Sequence, residues 1–151
     1  GILLVSEDQA LTVNGDWINR ATFIARSNGV VDLAGADPAT VAGANAFDTL
    51  IGTNAGKILS FAAGSTTTVA RLLRLGTFGR APLVTLQSTA PGSPWFLQLA
   101  GDATQQIAKV RVQDSDARNG QTLIAAAGSV DAGENHNWQF LKAGGTVILI
   151  R

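Results

Sequence analysis

His136, the only histidine in the chain, is the first candidate for acid–base chemistry. With Asp114 or Asp131 to orient it and Ser115 as the nucleophile, it could form a Ser-His-Asp triad. The sequence fixes no geometry for these residues, and segment 134–138 has the composition of a turn before a buried tryptophan. We therefore expect no catalytic residues and predict that the protein is not an enzyme.

Asp114 and Asp116 are spaced like the first ligands of a calcium-binding loop. Such a loop needs an oxygen ligand at its fifth position and glycine at its sixth, but Arg118 and Asn119 occupy these places. No glutamate closes the set at the far end of the loop. We favour a turn in which an Asp side chain bonds to the backbone. We predict no metal site and no cofactor, with weak calcium binding at Asp114 and Asp116 left open.

A local basic cluster consists of Arg71, Arg74 and Arg80. It could bind a polyanion, but an ordinary solvated face is the interpretation that we favour. Because the 11 basic residues balance the 11 acidic ones, no net charge attracts nucleic acid or an anionic membrane. The longest apolar runs are also too short to span a bilayer. We predict no nucleic-acid partner and no membrane span.

Carbohydrate chemistry is a further option. The tryptophans could stack on sugar rings, although we favour a core role for each of Trp17, Trp95 and Trp138. A β-helical lyase or hydrolase would need acidic residues and a basic group that converge in a groove. The Asp residues are scattered, but stacked strands bring successive turns to within about 5 Å of each other. The sequence therefore leaves such a site open.

The composition indicates the elements that must position these residues. The 151 residues suit one domain, with 46% hydrophobic residues, 15% charged residues and 17 Gly. Turn formers and β-branched residues dominate, which predicts an all-β chain with short turns and little or no helix. Segment 68–75 could form two helical turns, but the β-branched residues before it and the glycines after it favour a strand.

Apolar and polar residues alternate in residues 96–99 and 107–112, as a strand with one buried face requires. In the second run we expect Lys109 and Arg111 to point outwards, with a register break near Ala108. The residues that we expect to face the core are Ile107, Val110 and Val112.

Residues 33–48 and 99–114 are imperfect copies of each other. Leu33-Ala34-Gly35 is echoed by Leu99-Ala100-Gly101, and the later residues keep the same register. The offset of 66 residues would be three turns of a β-solenoid if each turn takes about 20–25 residues.

Several segments resemble the rung motifs of secreted bacterial β-solenoid (parallel β-helix) surface proteins of adhesin type. Residues 11–19, LTVNGDWIN, resemble the nGdWxN motif, and residues 110–117, VRVQDSDA, resemble the V-V-DSdA rung. Residues 129–138, SVDAGENHNW, are similar to the S-D-GNN-W end of these repeats. The resemblance covers most of residues 11–140. It implies a single-domain right-handed β-solenoid over residues 1–151, located outside the cell or on its surface.

Both ends of the chain are unusually aliphatic. Because the terminal strands of a solenoid lack partners, such ends either fold back as core strands of a monomer or pair with a neighbouring subunit. We take residues 1–10 and 144–151 as candidate inter-subunit strands. The predicted assembly interface consists of Ile2, Leu3, Leu4, Val5, Leu11, Val13, Val147, Ile148, Leu149 and Ile150.

We therefore expect an extracellular structural protein, the subunit of a cell-surface filament or stalk joined head to tail by strand pairing. In this mechanism, residues 146–150 of one subunit pair with residues 2–13 of the next. The alternatives are an adhesin-type module that binds a glycan or a surface, and a polysaccharide lyase or hydrolase of β-helix type. Because the first residue is Gly rather than Met, we expect the chain to be released from a longer precursor.

Overall fold

The computed structural model describes residues 2–144, except for the side chains of residues 2–4, 22 and 24. Within this range the chain forms 17 strands and no helix, which confirms the all-β prediction. Residues 145–151 lie outside the described residues. They include the predicted interface residues Val147, Ile148, Leu149 and Ile150.

The described strands pair in parallel and form three ladders. The first ladder contains β1 (Ile2–Val5), β4 (Thr22–Ala25), the first part of β7 (Asn45–Gly52), the first part of β9 (Thr66–Gly76), β11 (Trp95–Leu99) and β14 (Ser115–Asp116). The second contains β2 (Ala10–Val13), β5 (Val30–Leu33), the later parts of β7 and β9, β12 (Thr104–Ala108), β15 (Leu123–Ala125) and β17 (Trp138–Phe140). The third contains β3 (Trp17–Ile18), β6 (Ala39–Ala42), β8 (Ile58–Phe61), β10 (Val84–Ser88), β13 (Val110–Val112) and β16 (Val130–Asp131).

The chain visits these ladders in rotation, and each strand pairs with the strand from the previous pass. The first two ladders make one 11-stranded sheet because β7 and β9 belong to both, and the third ladder is a separate 6-stranded sheet. In β7 the register shifts between Phe47 and Thr49, so the chain bends at Asp48 as it leaves the first ladder and enters the second.

Side chains that alternate along the strands build the core between the ladders. In β11 the buried residues are Trp95, Leu97 and Leu99, as the alternation predicts. The Trp95 indole stacks on Phe61 with ring centroids 3.9 Å apart. Trp17 is also buried, so the predicted core role is confirmed for two of the three tryptophans.

The remaining strand predictions are confirmed with one adjustment. Segment 68–75 lies within strand β9, not in a helix. Ile107, Val110 and Val112 are buried as expected. The register break falls at Lys109, whose φ of 54° turns the chain between β12 and β13, one residue later than predicted.

The two imperfect copies in the sequence do not occupy equivalent places. Leu33 lies in β5 of the second ladder, whereas Leu99 lies in β11 of the first ladder. The 66-residue echo therefore does not mark three complete passes of the chain, and this part of the sequence interpretation is wrong.

Candidate functional site

The structure separates the residues of the Ser-His-Asp arrangement. Ser115 is fully buried, and its Oγ accepts a 3.0 Å hydrogen bond from Trp138 Nε1. His136 is exposed, and its backbone pairs with that of Asp116. The Asp131 carboxylate accepts hydrogen bonds within its own turn. Because the serine hydroxyl faces the core and the imidazole lies at the surface, these residues form no triad.

The segment that resembled a calcium loop is a turn closed by a side chain. Asp116 Oδ1 accepts a 3.0 Å hydrogen bond from the backbone N of Arg118, which confirms the interpretation that we favoured. The Arg118 guanidinium also contacts both carboxylate oxygens, with 2.6 Å between Nη2 and Oδ2. These hydrogen bonds lower the pKa of Asp116 more than burial raises it. Arg118 thus supplies the positive charge beside this carboxylate.

Asp114 is held rigidly at a corner of the chain, where its φ is 58°. Its backbone N donates to Gly133 O, and its carbonyl oxygen accepts from Trp95 N. Carboxylate Oδ2 accepts a 3.1 Å hydrogen bond from Gly92 N in the loop of residues 89–94. Oδ1 is buried without a hydrogen-bond partner among the described residues, in a side chain that is only 2% exposed. An unpaired buried oxygen of this kind costs about 1–3 kcal/mol.

A depression of about 100 Å³ brings charged residues together around Asp114. The other titratable residues that line it are Asp116, Arg118, Glu134 and His136. Arg118 neutralises Asp116. The acidic side chains of Asp114 and Glu134 and the imidazole of His136 therefore remain in the depression without this compensation. Residue type and spacing indicated Asp114, Asp116 and His136 as candidates, but they did not indicate Glu134. Asp116 pairs with His136, which lies one pass of the chain later. The same offset applied to Asp114 leads to Glu134 and would have indicated it.

A larger cleft of about 320 Å³ shares Asp114 and lies on the outer face of the third ladder. It follows a row of polar side chains at one register of that ladder, namely Thr40, Ser60, Gln87 and Gln113. This row was not predicted from the sequence because its members lie in four distant segments. The available signal was a Ser, Thr or Gln that directly follows a buried apolar residue in successive passes.

The three arginines of the basic cluster are exposed, and Arg71 forms an ion pair with Asp48. Arg71 Nε lies 2.8 Å from Asp48 Oδ2, and Arg71 Nη2 donates a 2.9 Å hydrogen bond to Thr49 Oγ1. Arg74 and Arg80 are exposed. Exposed pairs of this kind contribute about 0–1 kcal/mol. The arrangement supports the solvated-face interpretation over a built polyanion site.

The N-terminal interface residues occupy the outermost strands of two ladders. Val5 in β1 is buried, as in an ordinary core strand. Leu11 and Val13 in β2 are only half-buried, although they pack against the core. Their partners on β5, Val31 and Leu33, are fully buried. The edge strand β2 thus leaves inward-facing apolar side chains half uncovered. Ile2, Leu3 and Leu4 lie in β1, but their side chains are outside the described residues.

The other end of the second ladder shows the same gradient. Trp138 and Phe140 in β17 are half-buried, whereas their partners Leu123 and Ala125 in β15 are fully buried. Trp138 is therefore a partly covered end residue, not the fully buried core residue that we favoured.

Neither a metal centre nor a membrane-spanning helix is found in residues 2–144. Within that range no three side chains of His, Asp or Glu are placed to hold a metal ion, and no helix has the length and apolarity to cross a bilayer. No protein-family model, curated protein or solved structure matches the chain. The resemblance to bacterial surface solenoids therefore rests on the sequence motifs alone.

Proposed function

We propose that the three ladders are the faces of one right-handed β-solenoid and that the protein is a structural, non-catalytic subunit. In this proposal the subunits join end to end into a filament or stalk outside the cell or on its surface. The rotation of the chain through three parallel ladders supports the solenoid, as do the rung-like motifs in the sequence.

The observation that carries the proposal is the burial gradient at the two ends of the second ladder. Leu11 lies beside the fully buried Val31, and Trp138 lies beside the fully buried Leu123, yet both end residues are half-exposed. A second copy stacked on either end would cover these side chains, and burial of apolar surface contributes about 25 cal/mol per Å².

In the same contact between subunits, a strand of one subunit that pairs with the edge of the next would supply main-chain hydrogen bonds. Among the described residues, strand β2 pairs only with β5, so its other edge offers backbone N–H and C=O groups to a further strand. We propose that residues 146–150 of one subunit pair along residues 2–13 of the next. This contact joins two different surfaces, and we propose that the rotation between subunits does not close a ring, so that repetition gives a filament.

A charge substitution at the exposed end tests the proposal. Leu11→Asp should prevent end-to-end growth because a carboxylate in the contact would lose its hydration. Thr12→Asp is the matched control, since Thr12 is exposed on the opposite face of the same strand. Negative-stain electron microscopy and sedimentation velocity should show polymers for the native chain and for Thr12→Asp, and single subunits for Leu11→Asp. Far-UV circular dichroism checks that all three chains keep their strands.

Deletion of residues 144–151 tests the other half of the contact. We expect this deletion to abolish polymers while the strands of residues 2–140 are kept. Native-length polymers from both Leu11→Asp and the truncated chain would refute the proposed contact. A native chain that remains a single subunit at all concentrations would refute assembly itself.

A carbohydrate-directed surface is the second candidate, and the cleft and depression that share Asp114 favour it. An adhesin-type module would use the polar cleft for binding. A lyase or hydrolase would use the acidic residues and His136 of the depression, since acids and a proton acceptor converge there. A reducing-end assay on neutral and acidic polysaccharides separates the two, because only an enzyme releases new chain ends.

A further inference from the structure

The cleft beside Asp114 has a regular polar strip along its length. Thr40 pairs with Ser60, and Ser60 pairs with Gln87 on neighbouring strands. Gln113 continues the row, because its N donates to Leu86 O. Adjacent members are about 4.8 Å apart, the spacing of paired strands. The row therefore presents two hydroxyls and two amides in a line that crosses the strands.

This strip is fixed by the core beneath it. Leu59 and Leu86, which precede Ser60 and Gln87, are fully buried and hold the two strands in register. Gln87 Nε2 donates a 3.2 Å hydrogen bond to Ser60 Oγ, which orients the amide along the row. The polar groups of the cleft are thus largely positioned before any ligand arrives, which lowers the entropic cost of binding.

One wall of the cleft includes the loop of residues 89–94, which contributes Thr89 and Pro91 to the lining. Gly92 of this loop donates to Asp114 Oδ2, so the loop and the carboxylate are held together. The other carboxylate oxygen, Oδ1, is buried and has no hydrogen-bond partner among the described residues. A ligand hydroxyl that donated to this carboxylate would make a charge-assisted hydrogen bond, which is stronger than a neutral one.

The lining restricts the chemical class of the ligand. The described residues that form it carry hydroxyl, amide and carboxylate groups together with one proline, and among them there is no aromatic ring and no basic side chain. An anionic ligand would face Asp114 without a compensating cation, which disfavours it. A polyamine would find only one carboxylate along the row. Neutral hydroxyl groups, in contrast, can donate to the carboxylate and exchange hydrogen bonds with each amide and hydroxyl.

We propose that this cleft binds a neutral polyhydroxylated ligand, one or two hexose units of a neutral glycan, with a ligand hydroxyl donating to the Asp114 carboxylate. The volume of about 320 Å³ lies at the lower end of ligand pockets and suits a unit of this size. The proposal deepens the glycan-binding candidate and rests on it. It is independent of end-to-end assembly, since the cleft lies on a side face.

Titration of the full chain with small neutral sugars tests this site. Cellobiose, maltose and lactose are the neutral probes, digalacturonic acid is the anionic probe, and putrescine is the cationic probe. We expect at least one neutral disaccharide to bind with millimolar affinity and to shift the backbone amide signals of Gln87, Gln113 and Asp114 in NMR spectra. The anionic and cationic probes should leave these signals unchanged.

Two variants and a control locate the binding. Asp114→Asn keeps a residue that tolerates positive φ but weakens the acceptor, and it should lower the affinity about tenfold. Gln113→Ala should lower it several-fold. Gln98→Ala is the control, since Gln98 lies in β11 of another ladder, and it should leave the affinity unchanged.

The proposal fails if no neutral probe binds, if only a charged probe binds, or if Asp114→Asn binds as well as the native chain. Circular dichroism of each variant excludes loss of fold as the cause. Failure here leaves the assembly proposal intact, because filaments seen by electron microscopy do not depend on the cleft.

Discussion

Asn45 Oδ1 accepts a 2.8 Å hydrogen bond from Trp17 Nε1 across 28 residues of sequence. Both side chains are buried, with 3% and 6% of their surface exposed. The same oxygen accepts from Asn19 Nδ2, and Asn45 Nδ2 donates to Gly43 O. Asn45 therefore ties the first ladder to the third at the corner where the chain turns.

Asn45→Ala should lower the free energy of unfolding by about 1–3 kcal/mol, because the buried Trp17 N–H would lose its acceptor. A double-mutant cycle with Trp17→Phe should give a coupling of about 1 kcal/mol. Urea unfolding followed by far-UV circular dichroism measures both quantities. Asn119→Ala, at an exposed position, should change stability by less than about 0.5 kcal/mol. Strictly additive effects of the two core substitutions would show that this hydrogen bond contributes nothing.

Gly76→Ala should be among the most destabilising small substitutions in the chain. A Cβ on Gly76 would overlap the carbonyl oxygen of Ala108, and the φ of Gly76 is 93°. We expect a loss of about 3 kcal/mol or more, from the backbone conformation and the overlap together. Gly64→Ala is the matched control, since Gly64 has a φ of 76° but no atom within 4 Å of the added Cβ. It should lose only about 1–2 kcal/mol in the same urea experiment, and equal losses would contradict the prediction.

The strands themselves could be predicted from local alternation. Residues 96–99 show their buried face in the sequence because side chains in a strand point to opposite faces in turn. The corner at Lys109 was located to within one residue, since two apolar runs in different phase meet there. These features depend only on neighbours along the chain.

The assignment of strands to ladders could not be predicted in this way. In the second ladder the register places Leu33 beside Gly52, Gly52 pairs with Leu75, and Leu75 pairs with Ile107. The residues in line with Leu33 therefore do not include Leu99. Strands of all three ladders share the same two-residue alternation, so an echo in the sequence does not indicate the ladder. The loops after β9 and β10 also lengthen individual passes, which breaks any constant period.

The candidate site depends on tertiary placement for the same reason. Asp114 was singled out by residue type, but its surroundings depend on tertiary placement: Gly92, 22 residues earlier in the chain, donates to Oδ2, while Oδ1 has no partner among the described residues. The polar row from Thr40 to Gln113 appears only when four passes are set in register. The acidic residue Asp114 could therefore be identified from the sequence, but the cleft that it lines could not.

Arg118→Ala should change stability in a pH-dependent way. Hydrogen bonds from Arg118 hold the pKa of Asp116 below its unfolded value, so the native carboxylate adds stability above that value. The contribution is lost as pH falls through the native pKa. The native chain should therefore be more stable than Arg118→Ala at neutral pH, and the difference should shrink in acid. The native pKa of Asp116, read from its carboxyl ¹³C signal, should rise in the variant.

Urea unfolding at neutral and at acidic pH measures the stability difference. Arg20→Ala is the control, since Arg20 is also exposed but lies far along the chain from Asp116. A difference between native and Arg118→Ala that stays constant down to about pH 2, below the usual range of Asp, would contradict the assignment.

Lys57 is the one fully buried basic side chain among the described residues. Its Nζ donates hydrogen bonds of 2.9 Å to Asp37 O and 3.2 Å to Gly35 O, which fixes the turn before β6. Burial lowers the pKa of Lys57, and the carboxylates of Asp37 and Asp16 oppose this by raising it. Because the native pKa lies below the unfolded one, the unfolded chain binds more protons between the two values. Stability should therefore rise with pH across that interval.

Lys57→Met removes both the hydrogen bonds and the titrating group. At about pH 7 we expect a loss of about 1–3 kcal/mol, since two carbonyl oxygens lose their donor. Between about pH 7 and pH 10 the free energy of unfolding of the unsubstituted chain should rise relative to that of Lys57→Met. Only the unsubstituted chain has a lysine here that binds its proton more tightly in the unfolded state than in the folded state. Urea unfolding at several pH values measures the two slopes, and Lys142→Met, at an exposed position, should retain the native slope. Parallel slopes for the native chain and Lys57→Met would show that burial does not perturb this lysine. The hydrogen bonds to the turn would then be its whole contribution.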